Sequence, residues 1–195
     1  MIEVEKNFEL NLGEKEKLIK KAVPTKKISF VDSYYDTVDY DLTKKDLWLR
    51  TRDGKFQLKA PLNKQSIHER STDQYKEIEN EAEIARELGL ALRTNLADTL
   101  KEKDILPFAT IKTERDSYRS GKFNLDFDEM DFGFSTFEVE ILVDNEADIA
   151  AAENDILTFA KEYGIVSKLG HGKLLEYLIR FNPKHSKALV DSCVV

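Results

Sequence analysis

A basic hairpin is the feature of this sequence that most constrains its fold. The stretch from 46 to 59, DLWLRTRDGKFQLK, carries a strong hairpin turn signal at Asp53-Gly54. Because side chains alternate along a strand, one face of the first segment carries Trp48, Arg50 and Arg52. The opposite face carries Leu47, Leu49 and Thr51, and the chain returns to Lys59. One face can therefore pack against a core while the other binds an anion. The alternative is a hairpin whose basic face is exposed to solvent, with the tryptophan at its rim.

Length and composition indicate one globular domain. We predict a single domain over residues 1–195, with 184–195 as a C-terminal tail that can form a short helix. The net charge of −7, from 37 acidic and 30 basic residues, argues against a nucleic-acid partner. A local basic cleft can still bind a small polyanion. No apolar run reaches membrane length, and the lone Cys193 has no intrachain partner, so we expect a cytoplasmic monomer without a membrane partner.

The order of predicted elements favours a mainly β fold with helices, in the α+β class. About eight strands follow one another, joined mostly by short turns, which predicts a closed eight-stranded antiparallel β-barrel with helices packed outside. Besides the hairpin, the predicted strands cover 1–10, 26–37, 67–78, 107–119, 122–131 and 134–143. The predicted helices cover 14–23, 79–92, 95–103, 146–163 and 172–181.

Three pairs of acids share one spacing. Each pair is two residues apart on a predicted strand, so both members share a face: Glu3/Glu5, Asp126/Asp128 and Glu138/Glu140. Their opposite faces are apolar, so the acids face either solvent or the barrel interior. Clustered inside, they would repel one another unless a hard cation such as Mg²⁺, Mn²⁺ or Ca²⁺ neutralised them. Basic residues beside such a cation suit phosphate groups, which indicates a metal-phosphate site.

Other chemistries lack their motifs. The sequence has no glycine-rich phosphate loop, no Gly-x-Ser-x-Gly elbow and no Cys/His spacing of a metal site. The three histidines, His68, His171 and His185, are predicted to lie on the surface, with His171 a weak site candidate because it is close to Lys173.

The chain resembles a known family. The opening Ile2-Glu3-Val4-Glu5 is similar to the Glu-x-Glu-x-Lys signature of the CYTH, or triphosphate tunnel metalloenzyme, superfamily. Within that superfamily the sequence is similar to the thiamine triphosphatases. The matching stretches run in order along nearly the whole chain: DSYYDT, LWLRTRDGKFQLKAP, QYKEIENE, TERDSY, LDFDEMDFGF, FEVEILV and GKLLEYLIRF.

The resemblance implies a triphosphate tunnel and a divalent-metal-dependent hydrolase with Mg²⁺, or Mn²⁺, as its cofactor. By motif position the metal ligands are Glu3, Glu5, Asp126, Asp128, Glu138 and Glu140. The triphosphate-binding residues are Arg50, Arg52, Lys59, Arg115, Lys173 and Asn7, with Trp48 stacking on thiamine. Glu138 or Glu140 is implied as the general base, with Lys59 assisting the leaving group.

One position departs from the signature, because Asn7 stands where the family has lysine. Asparagine can donate a hydrogen bond but brings no charge, which weakens phosphate binding by roughly 1.5 to 3 kcal/mol. The expected reaction converts thiamine triphosphate to thiamine diphosphate and phosphate. The alternatives are hydrolysis of inorganic tripolyphosphate or a nucleoside triphosphate, a binding module that retains polyphosphate uncleaved, and a purely structural barrel.

Overall fold

The computed structural model describes residues 1–63, 65–165 and 172–195. Within them eight antiparallel strands close into a barrel in the order β1-β5-β4-β3-β2-β6-β7-β8, and β8 pairs with β1. The strands are β1 (Ile2–Phe8), β2 (Val23–Asp36), β3 (Trp48–Arg52), β4 (Lys55–Pro61), β5 (Asp73–Ile78), β6 (Leu106–Ser120), β7 (Phe123–Met130) and β8 (Phe134–Val143). The predicted eight-stranded barrel is confirmed.

The basic hairpin forms as its turn signal predicts. Asp53 and Gly54 have φ angles of 48° and 83°, the left-handed pair that matches the twist of a two-residue hairpin turn. Leu49, on the apolar face of β3, is buried among residues of the outer core. Arg50, on the other face, points into the barrel and is 8% exposed. The β3 strand is therefore buried on both faces, while the turn at Asp53 and Gly54 is exposed.

Six α-helices accompany the barrel in the described residues, in two layers and one end cap. They are α1 (Glu14–Ile19), α2 (Glu81–Glu87), α3 (Leu96–Glu102), α4 (Ile149–Tyr163), α5 (Lys173–Phe181) and α6 (Pro183–Asp191). The α1 and α4 helices pack on the outer faces of β1, β7 and β8, and α2 and α3 pack on those of β3 to β5. The α5 and α6 helices pack against aromatic residues at one end of the barrel. No helix among the described residues is long and apolar enough to cross a membrane.

Several predicted elements differ from those observed. The first helix ends at Ile19 instead of residue 23, and Pro24 lies inside β2. The predicted strand 67–78 is only Asp73–Ile78, because the chain first forms turns that return it to the barrel. The predicted helix 146–163 begins with a 3₁₀ turn, Glu146–Asp148, before α4.

The C-terminal segment is integrated into the fold. Residues predicted as a tail form α6, in which Leu189 is fully buried against the barrel end. His185, predicted on the surface, is also fully buried, stacks on Tyr40 and bonds Thr43 Oγ1 at 2.7 Å. Burial lowers the pKa of His185 to about 4, so the imidazole is neutral at physiological pH. The surface prediction for His185 is wrong because helical spacing places it on the inner face of α6.

Candidate active site

The strand register places the predicted acids inside the barrel. Partners in an antiparallel sheet point to the same face, and Glu5 lies opposite Glu140 across the β1–β8 seam. Glu138 of β8 lies opposite Asn7 of β1 on one side and opposite Asp126 of β7 on the other. The apolar neighbours of these acids, such as Val4 and Val139, lie in the outer core. The structure therefore brings the three acid pairs together in the lumen.

The predicted cations also face the lumen and pair with its carboxylates. Arg50, Arg52 and Lys59 come from the hairpin, Arg115 from β6 and Lys173 from the first turn of α5. Every one of the five forms an ion pair with an acid of the barrel interior. An interior with charges of both signs is thus compensated in part by its own residues.

Two acids of β1, Glu3 and Glu5, form a cluster with Glu140 of β8 that could hold a metal ion. Glu3, Glu5 and Glu140 offer carboxylate oxygens that all lie within 4.8 Å of one another. Lys59 Nζ approaches Glu3 Oε2 at 2.6 Å and Glu5 Oε1 at 3.0 Å. Asn124 Nδ2 donates to Glu140 Oε1 at 2.7 Å. One ammonium group thus contacts two of the three carboxylates, which leaves the cluster short of positive charge.

The pKa values reflect this shortage. Burial and repulsion from Glu3 and Glu138 raise the pKa of Glu5 to about 8. Together they outweigh the attraction to Lys59, which lowers the pKa of Glu5. Burial and Glu3 raise the pKa of Glu140 to about 7. Burial also opposes ionisation of Glu3, but Lys59 and Arg50 hold its pKa below the usual value. The cluster therefore binds protons readily near neutral pH, and an oxygen-seeking divalent cation would compete with them.

The remaining predicted metal acids surround a guanidinium group instead. Arg115 lies 2.5 Å from Asp126 Oδ2, 2.5 Å from Asp128 Oδ1 and 2.9 Å from Glu138 Oε2. Ser117 Oγ donates to the second oxygen of Asp126 at 2.5 Å. Burial disfavours the ionised form of Glu138, but Arg115 and Lys59 hold its pKa below the usual value. The six predicted metal ligands thus divide into an open cluster and a group already paired with arginine.

Asp32 is a central residue that the sequence analysis missed. Its fully buried carboxylate accepts Arg52 Nε at 2.8 Å and Arg52 Nη2 at 3.0 Å. Lys173 Nζ donates to Asp32 Oδ2 at 2.5 Å, and Arg50 Nη1 lies 3.8 Å from the same oxygen. Burial alone would raise the pKa of Asp32, but these cations hold it well below its usual range. Asp32 therefore positions three of the predicted phosphate-binding cations.

A cavity is lined partly by these charged residues and partly by aromatic and apolar side chains. It has about 670 Å³ of empty space, counting its open mouth. One set of lining residues is charged or polar: Glu5, Asn7, Arg50, Lys59, Asp73, Glu138 and Lys173. A second set is aromatic or apolar and belongs to one hydrophobic cluster: Tyr34, Trp48, Ile67, Tyr75, Leu174 and Leu175. Trp48 is 9% exposed and lies on the lumenal face predicted for it, within this aromatic and apolar set. Such a cavity fits a ligand with one anionic and one aromatic end.

Asn7, the departure from the signature, lies in this cavity beside Glu138. Its Oδ1 accepts a hydrogen bond from Thr136 Oγ1 at 3.0 Å, which leaves the amide NH₂ as the donating group. The adjacent Lys6 points to the opposite face of β1, and its Nζ donates a hydrogen bond to the Ser71 carbonyl outside the lumen. Lys6 therefore does not replace the missing charge. The weak candidate His171 lies outside the described residues.

Comparison with known proteins identifies the family. A sequence profile of the CYTH domain matches residues 1–170. The chain belongs to the CYTH family. This CYTH chain is 29% identical to thiamine-triphosphatase from Homo sapiens over 98% of its length and 90% of the relative's. It is also 29% identical to thiamine-triphosphatase from Macaca fascicularis, again over 98% of its length and 90% of the relative's.

Solved structures share the CYTH fold. A protein from Pyrococcus horikoshii OT3 aligns with a TM-score of 0.63 and 21% identity, covering 91% of this chain and 98% of that one. A Hippeastrum protein with a dominant triphosphatase activity aligns with a TM-score of 0.53 and 18% identity, over 92% of this chain and 94% of that one. At these identities the likeness concerns the barrel and its helices.

Proposed function

We propose that this CYTH protein is a divalent-metal-dependent triphosphatase that converts thiamine triphosphate to thiamine diphosphate and phosphate. The observation that carries the proposal is the cavity with two chemical halves. One set of its lining residues consists of cations and carboxylates, and the other consists of Trp48 with other aromatic and apolar side chains that form one cluster. Thiamine triphosphate has matching halves, a polyanionic chain and an aromatic cationic ring system. Similarity to mammalian thiamine-triphosphatases supports the same substrate.

The oxygen cluster fits a hard divalent cation. Glu3, Glu5 and Glu140 provide only oxygen donors, within 4.8 Å of one another, with no histidine or cysteine among them. This donor set suits Mg²⁺ or Mn²⁺, for which phosphate oxygens supply further ligands. When bound, such a cation offsets negative charge on the phosphates and acts as a Lewis acid. The group of Asp126 and Asp128 is less suited, because Arg115 already pairs with both.

The chain's own cations position the substrate. Arg50, Arg52 and Lys173 form one side of the phosphate path, held by Asp32. Arg115 and Lys59 lie among the acids, where they offset the charge on the terminal phosphate and on the leaving oxygen. Arginine contributes paired donors to phosphate, while lysine contributes a compact charge.

Hydrolysis also needs a proton acceptor. The attacking water oxygen bonds to the terminal phosphorus as the bond from that phosphorus to the diphosphate oxygen breaks. Glu140 is the better placed acceptor of the water proton, through the carboxylate oxygen that does not bind the cation, because Asn124 bonds to its side chain and no arginine pairs with it in the described residues. Glu138 is bonded to Arg115 and serves better to position that guanidinium. Lys59 can stabilise the charge that develops on the leaving oxygen.

A substrate panel tests this function. Purified protein with Mg²⁺ or Mn²⁺ is expected to release phosphate from thiamine triphosphate with a higher kcat/KM than from tripolyphosphate or ATP. Trp48→Ala should lower kcat/KM for thiamine triphosphate about tenfold, because a stacking contact of roughly 1 kcal/mol and buried area are both lost. The same substitution should leave tripolyphosphate turnover unchanged, since inorganic phosphate has no ring to stack.

Each alternative has its own result in that panel. A metal-dependent release of phosphate from tripolyphosphate that exceeds release from thiamine triphosphate would replace the proposed substrate. Equal loss on both substrates in Trp48→Ala would assign Trp48 to packing alone. No release from any triphosphate, at full occupancy by titration, would contradict the hydrolase.

A binding module is the second candidate, and Asn7 favours it. We expect Asn7→Lys to lower KM for triphosphates at least tenfold, because a charge-assisted contact contributes about 1.5 to 3 kcal/mol. Asn7→Met, which removes the amide donor without adding charge, should raise KM instead. Steady-state kinetics in Mg²⁺ measure both. Wild-type turnover with a KM that Asn7→Lys does not lower would show that phosphate does not reach position 7.

A further inference from the structure

A buried arginine, Arg70, braces two of the aromatic residues that line the cavity. Arg70 precedes β5, and only 2% of its side chain is exposed. Its Nη1 donates to Asp46 Oδ2 at 2.9 Å, its Nη2 to the Tyr75 hydroxyl at 2.5 Å, and its Nε to Asp73 Oδ1 at 2.6 Å. The guanidinium carbon also lies 5.1 Å from the Tyr75 ring centroid. Arg70 Nη1 also donates to Asn63 Oδ1 at 2.9 Å, so one side chain bonds three other segments of the chain.

These contacts extend to the cavity wall. Trp48 Nε1 donates to Asp46 Oδ1 at 2.7 Å and lies 3.1 Å from the Tyr75 hydroxyl. The Tyr75 hydroxyl donates to the same Asp46 oxygen at 2.7 Å. The polar edges of both rings are therefore fixed, and both rings line the cavity. Asp46 can hold this place because it adopts a left-handed φ of 60° after a 3₁₀ turn, two residues before Trp48.

We propose that Arg70 is a positioning residue that sets the specificity of this site, by fixing the indole of Trp48 through Asp46 and Tyr75 so that it faces an aromatic substrate group. The inference deepens the proposed function and rests on it for the identity of the substrate. An indole whose N–H is held by two partners, Asp46 and Tyr75, is ready for stacking before the ligand arrives, which lowers the ordering cost of binding. Arginine is needed at this position, because its guanidinium group has five N–H donors and can bond two carboxylates and a hydroxyl group at the same time.

Kinetics with two substrates separate this role from a general structural one. Arg70→Met should raise KM for thiamine triphosphate about tenfold with little change in kcat, and should change both constants for tripolyphosphate much less, because only the first substrate has a ring to stack. Arg70→Lys keeps the charge but lacks the fork, so an intermediate KM is expected. Arg93→Met is the matched control, because Arg93 is 66% exposed and pairs with Glu102 at the surface. Equal effects on both substrates, or none on either, would overturn the proposal.

The single tryptophan gives a readout that needs no substrate, since all indole emission comes from Trp48. Arg70→Met and Arg70→Lys should shift the emission to longer wavelength and increase quenching by acrylamide, and Arg93→Met should change neither. Unchanged emission and quenching in both Arg70 variants would overturn the positioning role, even where thiamine triphosphate is turned over. If the wild type fails to cleave thiamine triphosphate, the proposed substrate is wrong, and the emission measurement alone decides the role of Arg70.

Discussion

Asp32→Asn is expected to lower the free energy of unfolding by about 3 to 5 kcal/mol, the range for removing one partner of a buried ion pair. Asp32 is fully buried, and its carboxylate is shared by Arg52, Lys173 and Arg50. Asparagine keeps the shape and removes the charge, so three neighbouring cations lose their common counter-ion. Urea unfolding in metal-free buffer measures the difference.

The same variant should respond more strongly to an added anion. Tripolyphosphate is expected to stabilise Asp32→Asn more than the wild type, because its phosphates supply the negative charge that the variant lacks. Asp116→Asn is the control: Asp116 pairs with Lys15 and Lys27 at the outer surface, where such pairs contribute about 0 to 1 kcal/mol. If Asp32→Asn unfolds like the wild type, or gains no more from tripolyphosphate, Asp32 is not what holds these cations together.

Glu5→Gln is expected to reduce metal-dependent phosphate release on the order of a thousandfold, about 4 kcal/mol of transition-state stabilisation. Glu5 contributes one of the three clustered oxygens and faces Glu140 across the barrel seam. An amide keeps the volume but removes the charge that a hard cation requires. Phosphate release at several Mg²⁺ concentrations measures the loss, and excess chelator should abolish wild-type activity until Mg²⁺ is restored.

Glu129→Gln provides the matched comparison. Glu129 is an exposed acid on the outer side of β7, and its loss should leave turnover and Mg²⁺ dependence unchanged. Glu5→Gln with wild-type turnover, or with an unchanged Mg²⁺ requirement, would remove Glu5 from the proposed metal site. A loss of equal size in both variants would indicate a general effect of charge.

Strand alternation was sufficient to predict which side chains enter the lumen. Trp48, Arg50 and Arg52 share one face whatever their partners are, because a strand has a period of two residues. The same rule places Glu3 and Glu5 together. It does not separate Glu138 from Glu140, which have the same parity. Their difference arises from neighbouring strands, which bring Arg115 to one and Asn124 to the other.

Other residues of the candidate site could not be predicted, because their partners are distant in the sequence. Asp32 lies in a segment rich in aromatic residues, and its meeting with Lys173 joins positions 141 residues apart. Its parity with Phe30 and Tyr34 was a usable signal, since an acid between two aromatic residues on one strand face needs a partner. Arg70 offered less, because it lies in a turn without any periodic pattern.

The seam between β1 and β8 has a consequence for biogenesis. The first strand supplies Glu3 and Glu5, while Glu140 comes from the last strand of the barrel, so these oxygens meet only when the ring has closed. A nascent chain that lacks β8 would have only part of the cation-binding group, whatever helices it had already formed. Divalent cations should therefore favour the fully closed barrel over partly assembled forms, and enzymatic activity would report completed folding of the chain.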